Sequence, residues 1–504
     1  VTLARRRLAY DEVLYLQLAL RLRNDANLLG ITPVGHVAGE HVAAVLQSLP
    51  FALSDEQQTA VDEILADMQS PDRIMNRLLL GDVGTGKTAV AMVALASCAD
   101  TGTQACVMAP TSVLARQYAS SCMPVLERAG VRCGLLTGST PAAERDCMLS
   151  ALGCGELDIL FGTHAVLGDD VVFSHLSLVV IDEQHRFGVG QRNLLRAKGP
   201  GADLLVMTAT PIPRTLALSV YGDLETSIIR HRPVAGAGVT TRVLADANRD
   251  IAYGALRAAL EEGQQAYVIC PLVSEKDDQG ELDVQPGLEL DELGRPVSAQ
   301  RLHSVEAEVE HLSHLFPEAR IAALHGRLSP RDKDRVIDAF RGGEVDILVA
   351  TTVVEVGVDV PRATVMIIEN GERFGLATLH QLRGRVGRGS LPGTCFVLSR
   401  LSGSRHTVAS DRLESLEKSN DGFTLAEEDL RLRHEGEILG LRQHGGVTLR
   451  FVDLDADTDI IEAAHEDARE LLRYAPTLSS QATFPLRLQV VERYGNIFKE
   501  VSGG

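Results

Sequence analysis

Residues 81–88 read GDVGTGKT, which spaces Gly81, Gly86, Lys87 and Thr88 as a phosphate-binding loop. Glycines let backbone N–H groups turn inward around phosphates, and a helix N-terminus behind them favours the anion. Lys87 would place a cation at the β- and γ-phosphates, and Thr88 a hydroxyl on Mg²⁺; Asp82, Gly84 and Thr85 complete the loop. Apolar RLLL precedes the loop and TAVAMVALASCA follows it, so the context is strand–loop–helix rather than a chance glycine-rich turn. Further along, the apolar run LSLVVI ends in Asp182 and Glu183. Asp182 would hold Mg²⁺ through water, and Glu183 would orient and deprotonate an attacking water. Two acids at a strand end are common in turns, so their weight comes from sharing a chain with the phosphate loop. Gln184 and His185 after them also read as ordinary surface polar residues.

A second group lies in QLRGRVGR, Gln381 to Arg388. Arg385 and Arg388 are three apart and would share a helix face. Such a pair can reach a γ-phosphate across a domain cleft and stabilise charge in transfer, and the planar, always-charged guanidinium suits that task. A solvated basic face is the plainer reading. APTSVLARQ (109–117), GTH (162–164), TAT (208–210) and ATTVVEVGVDVP (350–361) all fall at predicted strand ends. Their hydroxyls and backbone N–H groups could grip a nucleic-acid backbone without reading sequence; each could equally cap a helix. The candidates among them are Pro110, Thr111, Arg116, Thr163, His164, Thr351 and Thr352.

Alternating strands and helices must position these groups. Apolar strand candidates fall at 77–81, 106–110, 158–163, 176–182 and 204–210, with helical stretches between them. A second series begins near residue 240, with strands at 266–273, 320–325, 346–352, 365–370 and 395–399. That pattern predicts two successive α/β domains with parallel sheets, whose ligands bind at the carboxyl ends of strands. Residues 1–23 read as an amphipathic helix, followed by a mixed link to about residue 48. Beyond residue 400 the pattern turns helical and charged, with a helical hairpin predicted over 405–430 and a Gly-rich loop over 431–446.

Composition sets the outer limits. A chain of 504 residues exceeds a single core. Aromatics make up 4% and Trp is absent, so packing must rely on aliphatic residues, as in buried parallel strands. The net charge of -19 argues against nucleic acid only as a global number. Much of it is local, since residues 275–296 carry eight acids against Lys276 and Arg295. That stretch reads as a surface loop. The eight cysteines are scattered and form no C-x-x-C pair, so neither a zinc site nor a disulfide framework is suggested, and reduced core thiols in a cytosolic protein are expected. Asp11, Glu12 and Gln17 interrupt the apolar stretch near the start, against a signal peptide, and the start at Val1 fits a piece of a longer protein. No apolar run is long enough to span a membrane.

Across about residues 50–400, GDVGTGKT, DEQH, TAT, ATTVVEVGVDVP and QLRGRVGR resemble motifs I, II, III, V and VI of superfamily 2 helicases, in order and spacing. DEQHRFGVGQR, TATPIPRTLA, LHGRL and SNDGFTLAEEDLRLRHEGEILGLRQ narrow the resemblance to the RecG family of branched-DNA translocases. The resemblance implies two tandem RecA-like domains, here 49–232 and 233–402, after a helical link over 1–48. A C-terminal segment, 403–504, would hold a translocation hairpin, a loop and a helical tail. It implies ATP and Mg²⁺, with Phe51 and Gln57 at the adenine. Gln381 would join Arg385 and Arg388 in catalysis. Gln184, His185, Thr208, Thr210, Gly357 and Asp359 would couple hydrolysis to movement, and His325, Arg433 and Gln443 would add DNA contacts. The implied partners are duplex and branched DNA, forks and Holliday junctions, and a single-stranded DNA-binding protein, with the chain a cytoplasmic monomer. The family's N-terminal wedge domain has no counterpart in this sequence, His434 stands where the family usually has Gly, and the acidic 275–300 stretch reads as an insertion. Three other readings remain open: a motor that remodels protein–DNA complexes, a catalytically silent scaffold, and a small-molecule kinase that leaves the second domain unexplained.

Overall fold

The computed structural model describes residues 2–27, 31–182, 194–209, 224–233, 238–273, 303–352, 360–401, 407–432, 450–453 and 456–499. It divides into two compact units. Unit 1 comprises Val1–Pro110, Tyr118–His231 and Arg433–Gly504, and unit 2 comprises Thr111–Gln117 and Arg232–Leu432.

Unit 1 is built on a seven-stranded sheet: β1 (Asn76–Gly81), β2 (Gln104–Met108), β3 (Cys133–Leu136), β4 (Ile159–Gly162), β5 (Leu176–Asp182), β6 (Asp203–Thr208) and β7 (Glu225–Ile229). Their order is β3-β4-β2-β5-β6-β1-β7, and every pairing is parallel. The central strands are buried along their whole length, as LSLVVID in β5 illustrates, because helices cover both faces of such a sheet. Helix Lys87–Thr101 packs its Ala- and Val-rich surface into this core, where Val93, Ala96 and Cys98 are fully buried. Unit 2 carries a six-stranded sheet: β8 (Val239–Ala245), β9 (Gln265–Ile269), β10 (Ile321–Leu324), β11 (Ile347–Ala350), β12 (Ala363–Ile368) and β13 (Gly393–Ser399). It too is wholly parallel, in the order β10-β11-β9-β12-β13-β8.

Helices Val408–Lys418 and Gly422–Leu432 occupy the expected hairpin and belong to unit 2, where Leu413, Leu416 and Leu425 join its core. The predicted N-terminal helix runs Thr2–Asn27 and packs in unit 1 against helices Thr458–Tyr474 and Phe484–Lys499.

Part of the predicted link is structured. Residues Glu40–Ser48 form a helix whose first turn is held by Asp100, which accepts from the backbone N–H of Gly39, His41 and Val42 at 2.7, 2.9 and 3.1 Å. The cap arrives from a distant helix, which no local pattern reveals. Three strands also lie outside the expectation. β3, β7 and β8 all lie at sheet edges and are only partly buried, and β8 alternates polar and apolar residues. The acidic stretch falls outside the described residues, as does the expected Gly-rich loop beyond Leu432, while Arg431 and Leu432 belong to the preceding helix. No described helix is long and apolar enough to cross a membrane.

Candidate nucleotide site and nucleic-acid edge

The phosphate loop begins where β1 ends. Gly84 and Gly86 adopt φ of 83° and 81°, in the left-handed region that a side chain disfavours. At Gly86 a Cβ would also lie 2.2 Å from the Gln57 amide nitrogen. The Lys87 Nζ is buried and donates to the carbonyls of Gly81 and Asp82 at 2.7 and 3.0 Å. The Thr85 hydroxyl donates to Asp82 O at 2.9 Å, and Asp82 accepts from the Val83 N–H. These contacts fold the loop over its own lysine, while Thr88 follows in the first turn of the helix.

Gln57 is fully buried and ties the loop to the helix that precedes β1. Its carbonyl accepts from Ser54 N at 2.9 Å, Ser54 Oγ accepts from Gln57 N, and its amide donates to Thr85 O at 2.8 Å. This is a reciprocal capping box with one hydrogen bond left for the phosphate loop. Both amide atoms of the expected adenine reader are therefore engaged by protein. Phe51 lies nearby in sequence and is 37% exposed.

Register places the hydrolytic candidates. Leu80 in β1 pairs with Thr208 in β6, and Met207 in β6 pairs with Asp182 in β5. Gly81, Thr208 and Asp182 thus end three adjacent strands at one edge. The phosphate loop and Asp182 stand two strand spacings apart, roughly 10 Å, with Thr208 between them. Asp182 is buried, and hard oxygen ligands such as its carboxylate and the Thr88 hydroxyl suit Mg²⁺. Glu183, Gln184, His185 and Thr210 lie outside the described residues, as do Gly357, Asp359, Arg433, His434 and Gln443.

The other half of the unit 1 edge carries three of the nucleic-acid candidates, Pro110, Thr163 and His164, while Thr111 and Arg116 group with unit 2. Pro110 follows β2 and Thr163 follows β4, and these strands pair in register at Met108 and Gly162. Thr163 caps a short 3₁₀ turn by accepting from Ala165 N at 3.5 Å, and exposed His164 begins that turn. Thr111 accepts from Leu114 N at 3.3 Å. Both hydroxyls serve as caps here, one of the two readings left open by the sequence. Arg116, which groups with unit 2, pairs with Asp334 and Asp338 at 3.3 and 3.7 Å. Within unit 2, His325 and Thr351 follow the paired ends of β10 and β11, with Thr352 next to them. Burial holds the His325 imidazole below its ordinary pKa, with Arg327 and Lys333 adding to the effect.

One expectation fails on geometry. The helix carrying Gln381 runs Leu376–Arg383 and stops there, with Gly384 as its C-cap and Gly387 at φ 69°. Arg385 and Arg388 therefore sit in the turn beyond the helix, and helical spacing does not place them on one face. Gln381 and Arg385 are buried, and Arg388 is half-buried with its Nε donating to Gly384 O at 2.7 Å. Gly384 caps the helix in the ordinary right-handed region at φ -66°, and the left-handed turn that favours glycine falls at Gly387.

Comparison with known proteins agrees with this layout. The DEAD/DEAH box helicase family matches residues 54–218, and the helicase conserved C-terminal domain matches 297–390. The ATP-dependent DNA helicase RecG of Mycobacterium tuberculosis is 42% identical over 97% of this chain and 67% of its own length. The chain belongs to the RecG family. RecG of Thermotoga maritima is also 42% identical, over 93% of this chain. A solved structure of RecG bound to a three-way DNA junction superposes with a TM-score of 0.72 at 39% identity over 91% of this chain. The two α/β units thus share the RecA-like architecture of that family. The chain spans 57% of the Thermotoga protein and 57% of the solved chain.

Arg383, the first arginine of QLRGRVGR, is not among the expected site residues. It is 3% exposed and donates to Leu416 O and Ser419 O, at 2.9 and 2.7 Å, where the first hairpin helix ends. It also contacts His380 Nδ1 at 2.7 Å. Arg383 and Arg385 are both buried, and the helix ends between them, a boundary that their spacing does not mark. Asp246, His303 and Glu369 also converge in unit 2. Arg249 already supplies the cation there, 2.6 Å from Asp246 and 2.9 Å from Glu369, so the cluster is an ion pair network.

Proposed function

We propose that the chain is an ATP-driven motor on double-stranded DNA that acts on branched junctions, in fork reversal and Holliday-junction branch migration. The observation that carries this reading is identity above 40% with RecG helicases along more than nine-tenths of the chain, including both halves of the site. Lys87 and the loop N–H groups hold the β- and γ-phosphates of ATP, and the buried lysine is already seated among loop carbonyls. Thr88 and Asp182 hold Mg²⁺, which when bound draws charge from the phosphate oxygens. Glu183 takes a proton from the attacking water, and Arg385, Arg388 and Gln381 stabilise charge on the transferred group. Phe51 and Gln57, whose amide nitrogen carries a second N–H beyond the one given to Thr85 O, set the preference for adenine. Gln184, His185, Thr208, Thr210, Gly357 and Asp359 pass the change to the DNA grip. That grip comprises Pro110, Thr111, Arg116, Thr163, His164, His325, Thr351, Thr352, Arg433 and Gln443. A single-stranded DNA-binding protein is the proposed protein partner, and a cytoplasmic monomer the working form.

The test is unwinding. ATP-dependent conversion of a synthetic fork or four-way junction, with no conversion of a blunt linear duplex, supports the reading. Equal action on RNA hairpins and DNA junctions contradicts it.

A further inference from the structure

The helix that bears Gln57 runs Asp55–Met68 and packs Ala60, Val61, Ile64 and Met68 into the core of unit 1. Its far end is pinned by Arg77 of β1, which donates to Glu63 at 3.1 Å and to Asp67 at 2.9 and 2.7 Å. Its near end is pinned by Glu56, a half-buried residue with no place among the expected site residues. Glu56 Oε2 accepts from the backbone N–H groups of Arg230 and His231 at 2.8 and 2.9 Å, and Oε1 lies 2.8 Å from His231 Nδ1. Partial burial raises the Glu56 pKa, but the His231 and Arg230 donors outweigh it and hold the carboxyl below its ordinary range.

These contacts reach beyond one helix. Arg230 and His231 directly follow β7, whose last residue, Ile229, pairs with Gly81 at the opening of the phosphate loop. Gln57 reaches the other way, to Thr85 O in the loop itself. Two adjacent side chains thus fasten the first turn to the strand beside the loop and to the loop. An acid in a first turn ordinarily complements the helix dipole and no more, a task that exposed Asp55 already meets. Two backbone donors converging on one carboxylate oxygen add geometric specificity as well as energy. What they fix matters for Gln57. A side-chain amide has two N–H groups and two carbonyl lone pairs, so after its bonds to Thr85 and Ser54 it keeps one of each. That pair matches the amino group and N7 of adenine, whereas guanine presents O6, a second acceptor, in place of the amino group.

We infer that Glu56 is a positioning residue for base selection: by fastening the first turn to the end of β7, it aims the remaining N–H and lone pair of Gln57 and so sets the preference for adenine over guanine. The inference rests on the ATP reading above. The partners of Glu56 are at the end of β7 and not in the phosphate loop, so its loss should act on recognition of the base rather than on hydrolysis.

The experiment measures kcat and KM for ATP and for GTP, with duplex DNA saturating, in the full chain and in Glu56→Ala, Glu56→Gln and Asp55→Asn. In Glu56→Ala, kcat/KM for ATP should fall about tenfold through KM, with kcat and both constants for GTP within about twofold of wild type, the signature of lost binding rather than lost chemistry. Glu56→Gln keeps one oxygen for the two N–H groups without the charge and should lose about threefold. Asp55→Asn should change neither nucleotide. An ATP-to-GTP ratio that stays at the wild-type value in the Glu56 variants would overturn the inference. So would an equal loss on both nucleotides, which would show that Glu56 holds the loop and not the base site. If the alanine variant does not fold, the glutamine variant decides alone. A wild-type chain that hydrolyses both nucleotides alike, or neither, would instead overturn the ATP reading, and the role of Glu56 with it.

Discussion

Removing the Arg383 guanidinium should loosen the hairpin selectively. In Arg383→Ala, Leu416 O and Ser419 O lose their donor at the end of helix Val408–Lys418. A hydrogen bond from a charged donor contributes about 1.5–3 kcal/mol, and an orphaned buried acceptor costs a comparable amount. The carbonyl of Ser419 can turn to water, because its neighbours Lys418 and Asn420 are exposed. The packing of Leu413, Leu416 and Leu425 remains. A net loss of about 2–4 kcal/mol, confined at first to the hairpin, is the outcome of those terms. Amide hydrogen exchange reads it directly. Protection across 408–432 should fall roughly 30- to 1,000-fold, since about 1.4 kcal/mol is a factor of ten, while β9, β11 and β12 keep their protection. Arg383→Lys should recover only part, because an ammonium cannot span two carbonyls in the fork geometry. Equal protection in the variant and wild type would refute the strut, and uniform loss over all of unit 2 would show that Arg383 supports the sheet instead.

Three further outcomes follow from the site and the core. Lys87→Ala and Glu183→Gln should each abolish DNA-stimulated ATP hydrolysis while leaving the melting temperature within a few degrees; retained turnover in either would remove that residue from the proposed chemistry. Gly86→Ala should weaken ATP binding at least tenfold, because the φ of 81° costs about 1–2 kcal/mol for a residue with a Cβ and the methyl displaces Gln57; an unchanged KM for ATP would count against the loop geometry. Burial disfavours charge on His36, but the adjacent Asp203 carboxylate, 3.3 Å away, overrides it and raises the imidazole pKa to about 10. Its stabilising contribution is therefore complete below about pH 6.5 and lost as pH rises towards 10, so chemical denaturation midpoints should fall across that window and His36→Ala should flatten the dependence.

The legible parts of this molecule are those in which local pattern and tertiary fate coincide. The runs that became β1, β5 and β6 are buried on both faces, so apolarity alone marked them, and the loops after them carried their chemistry in the sequence. What could not be read depended on distant partners. The Glu40–Ser48 helix owes its start to Asp100, and Gln57 owes its place to Thr85. Arg383 and Arg385 lie on either side of the helix end although only Gly384 separates them. Glu12 and Gln17 looked like blemishes in an apolar helix until their partners at 450–452 and His465 were placed beside them.

The most direct test of the account is the rate of ATP hydrolysis by this chain with no DNA, with single strand, with linear duplex and with a fork, each over a range of salt. A motor that grips duplex phosphates through basic and backbone donors should be stimulated most by the fork and duplex, and that stimulation should fall steeply as salt rises. A rate that is the same under all four conditions, or that rises only with single strand and ignores salt, would contradict it.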